Sequence, residues 1–264
     1  MTTPQGPRKR LPNNPSEENL RKQAKRLAAQ EDLQLAAAQR RLAIEYGYRN
    51  WAELMRAVAS RFVPLVPLRG LVAFPHEVYP IYVGRPRSLR AIEAVEDPKS
   101  QISLAANSPI LLVAQRDATI AAPSPADMYQ VGTLGVIVQR ERFSDGTVKV
   151  MVEGRRRARV ARFVFGQKFF KAQAEEIKEL ADGFVGLKAL THSVLNAFNS
   201  FAHRHTKLSP EILTSIEGID DPSILSDKMV GHLNIQLEEK QALLESTNPI
   251  ERLQRILGYL DAAN

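Results

Sequence analysis

Few side chains in this 264-residue sequence stand at the spacings that chemistry requires. His203 and His205 form an HxH pair, but residues two apart on a helix point in different directions and do not share a metal ion, so the pair reads as surface. His76-Glu77 opens like the zinc-binding HExxH signature and then meets Pro80 where the second histidine belongs. Asp220-Asp221 stands just before Pro222 and has a structural explanation as a helix cap, with no further acidic neighbours to complete an oxygen-ligand set. Gly183 and Gly186 ahead of Lys188 approach a phosphate loop, yet the spacing departs from GxxxxGK and Phe184, Val185 and Leu187 make the segment a helix start. A GxSxG elbow and a Rossmann glycine triplet are both absent, and the complete lack of cysteine excludes disulfides and thiolate-held zinc or iron–sulfur centres. No catalytic residue, metal or cofactor is assigned, and the chain reads as a non-enzyme.

Charge offers a different chemistry. The formal net charge is +7, with Lys and Arg gathered at Arg8-Lys9-Arg10, at Arg21, Lys22, Lys25 and Arg26, and at Arg155-Arg156-Arg157 followed by Arg159 and Arg162. Clustered cations release counterions from a phosphate backbone, so Arg155, Arg156 and Arg157 form a candidate polyanion-binding run. The plain alternative is a solvated strand face, because Arg159 alternates with Ala158 and Val160. The chain lacks the interleaved aromatics of a single-strand stacking platform.

The elements that would carry these residues fall into four stretches. Residues 1–15, with Pro4, Pro7, Pro12 and Pro15, read as a disordered arm. Residues 16–60 read as a helical module: Ser16 caps a first helix with Leu20, Ala24 and Leu27 on one face, a second runs from Asp32 to Tyr46 and stops at Gly47, and Asn50 with Glu53 forms a capping box before a third. Trp51 is expected as a buried anchor there. Residues 61–180 read as mostly β, with strands at Leu65–Leu68, Val78–Val83, Pro109–Gln115, Gly132–Phe143, Val148–Glu153, Arg157–Phe165 and Phe169–Ile177, and a helix at Arg87–Val95. Val148, Val150 and Val152 alternate with Lys149, Met151 and Glu153 after a Ser144-Asp145-Gly146 turn, the period of a half-buried hairpin strand. Pro64, Pro67 and Pro80 lack an N–H and so place the first β segments on a sheet rim. Gly132 and Gly135 predict a bulge or tight bend. Residues 181–264 change to helical period, with Phe184, Leu187, Leu190, Val194, Phe198 and Phe201 on one stripe and helix starts at Ser209-Pro210, Asp221-Pro222 and Asn248-Pro249. Glu251 completes a capping box with Asn248.

The words PLRGLVAFPHEVYPIYVGRPRSLRAIE, ILLVAQRD, YQVGT from Tyr129 and DGTVKVMVEGRRRARV, followed by LSPEILTSIEGIDDPSILSDKMVGHL, LEEKQALLES and NPIERLQRIL, stand in one order. They resemble the N-terminal substrate-binding domain of the bacterial ATP-dependent Lon proteases, over roughly Phe62 to Leu260. EDPKSQISLAANSP interrupts the pattern between RAIE and ILLVAQ. The resemblance implies an α+β fold: a small PUA-like β pseudobarrel followed by a helical bundle, here with an extra N-terminal helical segment. The ATPase phosphate loop and the serine–lysine protease module of that family are not found in these 264 residues. LRKQAKRL, AQRRLAIEYGY and NWAEL look like a helical segment that precedes ankyrin-type repeats in some bacterial proteins, although no such repeat follows.

The implied function is a substrate-recognition module for misfolded or degron-bearing proteins, either free-standing or as the front of a longer protease; the reading frame beyond Asn264 would decide which. Arg69, Phe74, Pro75, His76, Arg85, Arg87 and Arg90 match prominent family words and are the candidate protein-binding residues, with the general tendency of phenylalanine to be buried drawing Phe74 toward the core. Pro86 stands where the family often has a charged residue. The alternatives are a basic PUA-like nucleic-acid-binding protein, or an adaptor in which residues 16–60 dock another protein. A homo-oligomer fits the avidity that weak contacts need. No apolar run is long enough for a membrane span, and a cytoplasmic location fits the absence of cysteine and of a signal sequence.

Overall fold

A computed structural model describes residue 9 and residues 17–59, 62–96, 108–165, 169–180, 186–205 and 210–263. The expected N-terminal arm (apart from Lys9), the Ser16 and Ser209 caps, most of the EDPKSQISLAANSP insertion and the Gly183 segment lie outside these described residues.

Three helices open the chain: α1 (Glu17–Gln30), α2 (Leu35–Glu45) and α3 (Trp51–Ala59). Their apolar stripes meet in a small core of Leu20, Ala24, Leu42, Ala43, Leu54, Met55 and Val58, with Trp51 packed partly buried against it. The second helix starts three residues later than its periodicity implies because Asp32 adopts a left-handed backbone, φ 50°, which no α-helix tolerates. Asn50 caps α3 by accepting from the Glu53 N–H at 2.8 Å, while the Glu53 carboxylate accepts from the Arg49 N–H rather than from that of Asn50.

The β region is one six-stranded sheet: β1 (Phe62–Leu68), β2 (Val78–Val83), β3 (Ile110–Ala114), β4 (Val131–Arg142), β5 (Val148–Phe165) and β6 (Phe170–Glu176), in the order β2-β5-β4-β3-β1-β6. An additional β5–β6 pairing closes five of these strands into a barrel and leaves β2 as a flap paired only to the first part of β5. Helix α4 (Pro86–Glu96) packs beside β1. One expectation changes here: β5 is a single 18-residue strand, not two, kinked by register shifts opposite Leu134/Gly135 and between Val160 and Arg162. Gly135 marks the first of these. At Gly132 a Cβ would lie 2.2 Å from the Leu112 carbonyl oxygen, and at Gly154 2.3 Å from that of Phe74, so both places demand glycine for backbone approach.

The proline reading also needs correcting. The strand β2, with Pro80, does lie on a rim, but β1 is interior: it runs parallel to β3 along Leu65–Leu68 and antiparallel to β6 along Phe62–Pro64. Its alternate residues enter two cores, Val63 and Leu65 one, Val66 and Leu68 the other. Proline is tolerated because successive residues turn their backbone polar groups to opposite sides. Leu68 offers its carbonyl to the Gln115 N–H on the β3 side, whereas the Pro67 carbonyl turns away and accepts from Arg85. Among the described residues no strand pairs with that side of Pro67 to miss the absent N–H.

Among the described residues five helices follow: α5 (Leu187–His205), α6 (Pro210–Glu217), α7 (Pro222–Val230), α8 (Leu237–Glu245) and α9 (Pro249–Ala263). Asp221 caps α7 through the Ser223 and Ile224 N–H groups, and Asn248 accepts from the Ile250 N–H at the start of α9. Glu251 takes the Ser246 hydroxyl at 3.4 Å. Val194, Phe198, Leu225, Met229, Leu253, Ile256 and Leu260 join Leu65, Phe74, Leu111 and Val160 in one continuous apolar cluster, so bundle and barrel share a core. At its side lies a buried polar knot. Arg157 of β5 forks onto Asp227 of α7 and also reaches Glu179 at 2.6 Å and the Leu244 carbonyl at 3.1 Å. Arg252 of α9 reaches Glu179 at 3.0 Å and the hydroxyls of Ser226 and Ser223 at 3.0 and 2.9 Å.

Two stability measurements follow. Asp227→Asn removes a fully buried carboxylate held between two guanidiniums and is expected to cost about 3–5 kcal/mol in urea denaturation. Gly132→Ala should cost at least about 2 kcal/mol through the collision with Leu112, whereas Gly258→Ala in α9, where a Cβ meets nothing within 4 Å, should be neutral or stabilising by up to about 1 kcal/mol.

Candidate functional site

The unpaired edge of β2 and the half of β1 beyond the reach of β6 line one open cleft of about 390 Å³. Val66, Pro67 and Leu68 form one wall; Pro80 to Gly84 form the other. Two strand edges of this kind would ordinarily zip together through their backbones. Pro67 and Pro80 each remove a donor, which keeps the seam open while its apolar side chains remain in place.

Arg69, Leu71, Arg85 and Ser88 close one end of the cleft. The Arg85 guanidinium is half-buried, donating to Gln115 Oε1 at 2.6 Å and to the Pro67 carbonyl. Gln115, fully buried, is itself fixed by donating to the Ile120 carbonyl at 3.0 Å and the Asp117 carbonyl at 3.2 Å, and Arg69 shares the Ile120 oxygen at 3.4 Å. The acceptors holding both guanidiniums are therefore neutral oxygens, and no carboxylate lies within 4 Å of either among the described residues. Burial, and then the nearby Arg69 charge, disfavour the cationic form of Arg85 and push its pKa down. The first turn of α4 begins at Pro86, so the positive end of that helix adds to the potential here.

Beside the cleft, the outward residues of β2 are apolar and exposed. Tyr82, 64% exposed, stacks on Phe143 with centroids 6.4 Å apart and an interplanar angle of 17°. Lys149 Nζ lies 5.8 Å from the Tyr82 ring, and Val78 and Val138 are also exposed.

The residues singled out from sequence divide. Arg69 and Arg85 meet in the cleft. Phe74 is core, and Pro75 is buried behind it. His76, exposed and left-handed at φ 65°, donates its N–H to the Gly154 carbonyl, so the turn at Phe74, Pro75 and His76 stitches a loop to β5 instead of lining the cleft. Arg87 covers the Phe170 ring at 5.3 Å and Arg90 lies exposed on α4. The Arg155–Arg157 run does not form one surface: Arg155 pairs with Glu153 at 2.7 Å, Arg156 with Glu176 at 2.8 Å, and Arg157 is buried in the polar knot. Gln115, Tyr82 and Phe143 escaped the sequence reading. Gln115 had one signal, a polar residue ending the apolar run ILLVA. Among the described residues no three His, Asp or Glu side chains gather as a metal site, and no helix is long and apolar enough to cross a membrane.

A closed small barrel with an open lateral seam, sharing a core with a helical bundle, defines a protein of the α+β class. The comparisons give it a family: residues 63–262 match the substrate-binding domain of ATP-dependent protease La (LON), and the chain belongs to that family. It is 39% identical over 198 residues to the Lon protease of Azospirillum brasilense and 42% identical over 194 residues to Lon protease 1 of Myxococcus xanthus, covering 75% and 74% of this chain. The match takes in only 24% and 23% of those proteins, so the chain spans about a quarter of the length of the curated relatives it matches. Among solved structures, the N-terminal domain of Mycobacterium avium complex Lon protease superposes with a TM-score of 0.62 at 22% identity, over 76% of this chain and 98% of that one. The Lon N-terminal domain protein from Xanthomonas campestris gives 0.53 at 18% identity, over 75% and 97%. Both bear out the α+β architecture. The helical module of α1 to α3 lies outside the family match.

Proposed function

We propose that this chain is a non-catalytic recognition module that captures extended, apolar segments of other polypeptides, such as misfolded or degron-bearing proteins expose. The observation that carries the reading is the open seam between β1 and β2 with Tyr82 and Phe143 exposed beside it. An extended peptide needs an unpaired strand edge for its backbone and shallow apolar contacts for its side chains, which together give breadth without strict sequence selection. The family's description as a substrate-binding domain agrees with this. Single contacts of this kind are weak, and several copies held together would strengthen them.

One observation favours a second reading, binding of nucleic acid. The first 60 residues hold 11 Lys and Arg against 6 Asp and Glu, so that stretch carries +5 of the formal +7. That surface would act through α1 to α3 and not through Arg155–Arg157.

Reduced, carboxymethylated α-lactalbumin, which stays unfolded, is expected to bind this chain while the native protein does not, as read by fluorescence anisotropy. Paired replacement of Tyr82 and Phe143 by serine should weaken binding about tenfold with an unchanged melting temperature, and affinity should vary little between about 50 and 200 mM salt. Equal binding of native and unfolded protein defeats the reading. Tight duplex binding that collapses over the same salt range would put the nucleic-acid reading in its place.

A further inference from the structure

We propose that the Arg69–Arg85 end of the cleft is a seat for the terminal carboxylate of a bound polypeptide, so that the module selects chain ends carrying an aliphatic last residue. The inference rests on the reading of this chain as a peptide-capturing module and names what its cleft selects. Two guanidiniums line a single small cleft, and the groups that hold them are the Gln115 amide and backbone carbonyls. Those neutral oxygens orient the forks without cancelling their charge. Arg85 uses one donor on Gln115 and one on Pro67, which leaves part of a planar five-donor fork to meet an incoming anion, and a guanidinium fork matches a carboxylate in two parallel hydrogen bonds. Arg69, exposed and bound only at 3.4 Å, can turn toward the same anion.

The rest of the cleft decides which carboxylate. Leu71, partly exposed, and Pro80, exposed, give it apolar surface close to the two cations, with Leu68, Ile81 and Val83 buried behind them. At a chain end the carboxylate and the last side chain leave the same Cα, so a charged group and an aliphatic group arrive together, a short step apart. An internal Asp or Glu instead presents its charge at the tip of a side chain, with the backbone continuing in both directions past the two guanidiniums. The volume of about 390 Å³ suits the end of a chain and excludes a folded surface. The free edge of β2 leads away from this seat and offers backbone partners to the residues that precede the end.

The test uses the full chain and three fluorescein-labelled peptides: one ending in Ala-Leu with a free carboxylate, the same peptide as its C-terminal amide, and an amidated peptide with Glu placed internally beside the leucine. The free acid is expected to bind about tenfold tighter than either amide. Arg85→Gln should erase that difference by bringing the free acid down to the affinity of the amides. Arg69→Gln, at an exposed position where folding is not at stake, should lower the preference in the same direction. Equal affinity of acid and amide overturns the carboxylate seat and leaves the capture of unfolded segments standing. Binding of the internal-Glu peptide as tight as the acid overturns the assignment to chain ends. Failure of all three peptides together with the unfolded protein overturns the capture reading and this inference with it.

Discussion

Arg157, Asp227, Arg252 and Glu179 bring two positive and two negative charges together where water reaches only Glu179, and the union of barrel and bundle depends on their mutual satisfaction. Withdrawing charges of this kind from water costs several kcal/mol per ion, and only good geometry with additional hydrogen bonds offsets it. The knot provides both. Burial pushes the Asp227 carboxyl up, and the two guanidiniums, Arg157 foremost, work against that. Arg252 loses its charge preference to burial and to Arg157, and regains part of it from Asp227 and Glu179. Because each partner comes from a different element, β5, α7, α9 and the segment after β6, a shift of any one strands a buried charge on the others. A purely apolar contact would tolerate sliding; this one sets a single register between sheet and helices.

That register passes along β5. The strand carries Val148, Val150 and Val152 into the core under α4, bends at Gly154 where the Phe74 loop presses against its backbone, and then delivers Arg157 to the bundle. The Gly154 N–H donates to the Glu77 carbonyl and its own carbonyl accepts from His76, so the loop before β2 is tied to the same point. Glu77 also pairs with Lys228 of α7 at 3.0 Å, a second bridge from that loop to the helix that bears Asp227. The start of β2 and the polar knot are thus linked through one short stretch of chain.

What could be read from the sequence was whatever depends on neighbours in the chain. The alternating valines of β5, the stripe along α5, and the proline-led helices α7 and α9 with their Asp221 and Asn248 caps are local patterns, and they stand where the pattern puts them. Readings that needed a distant partner went astray. Proline in β1 was legible as a missing donor, but whether a donor is missed depends on which strand lies on which side, and β1 changes partner midway from β6 to β3. By simple alternation in the sequence Arg157 falls with Arg155 and Arg159, and nothing within ten residues distinguishes it. The distinction is made by Asp227, seventy positions away. Arg85 was legible only through family resemblance, and Gln115, which fixes it, gave no signal beyond its place at the end of an apolar run.

Two pairs of arginines in this fold are treated in opposite ways. Arg157 and Arg252 lie deep and are matched by carboxylates, so their charge is spent inside the molecule and serves only shape. Arg69 and Arg85 lie at an opening and are matched by neutral oxygens, so they are held in position with their charge still uncompensated. A fold selected for stability alone would place a carboxylate at Gln115, or withdraw Arg85 to solvent, since a half-buried cation beside another cation is disfavoured. It would also let β2 and β1 pair instead of interrupting both with proline. The local rules of sheet pairing and charge matching are broken together at this opening, and such coincident departures from consistency are where a site for something outside the chain is expected.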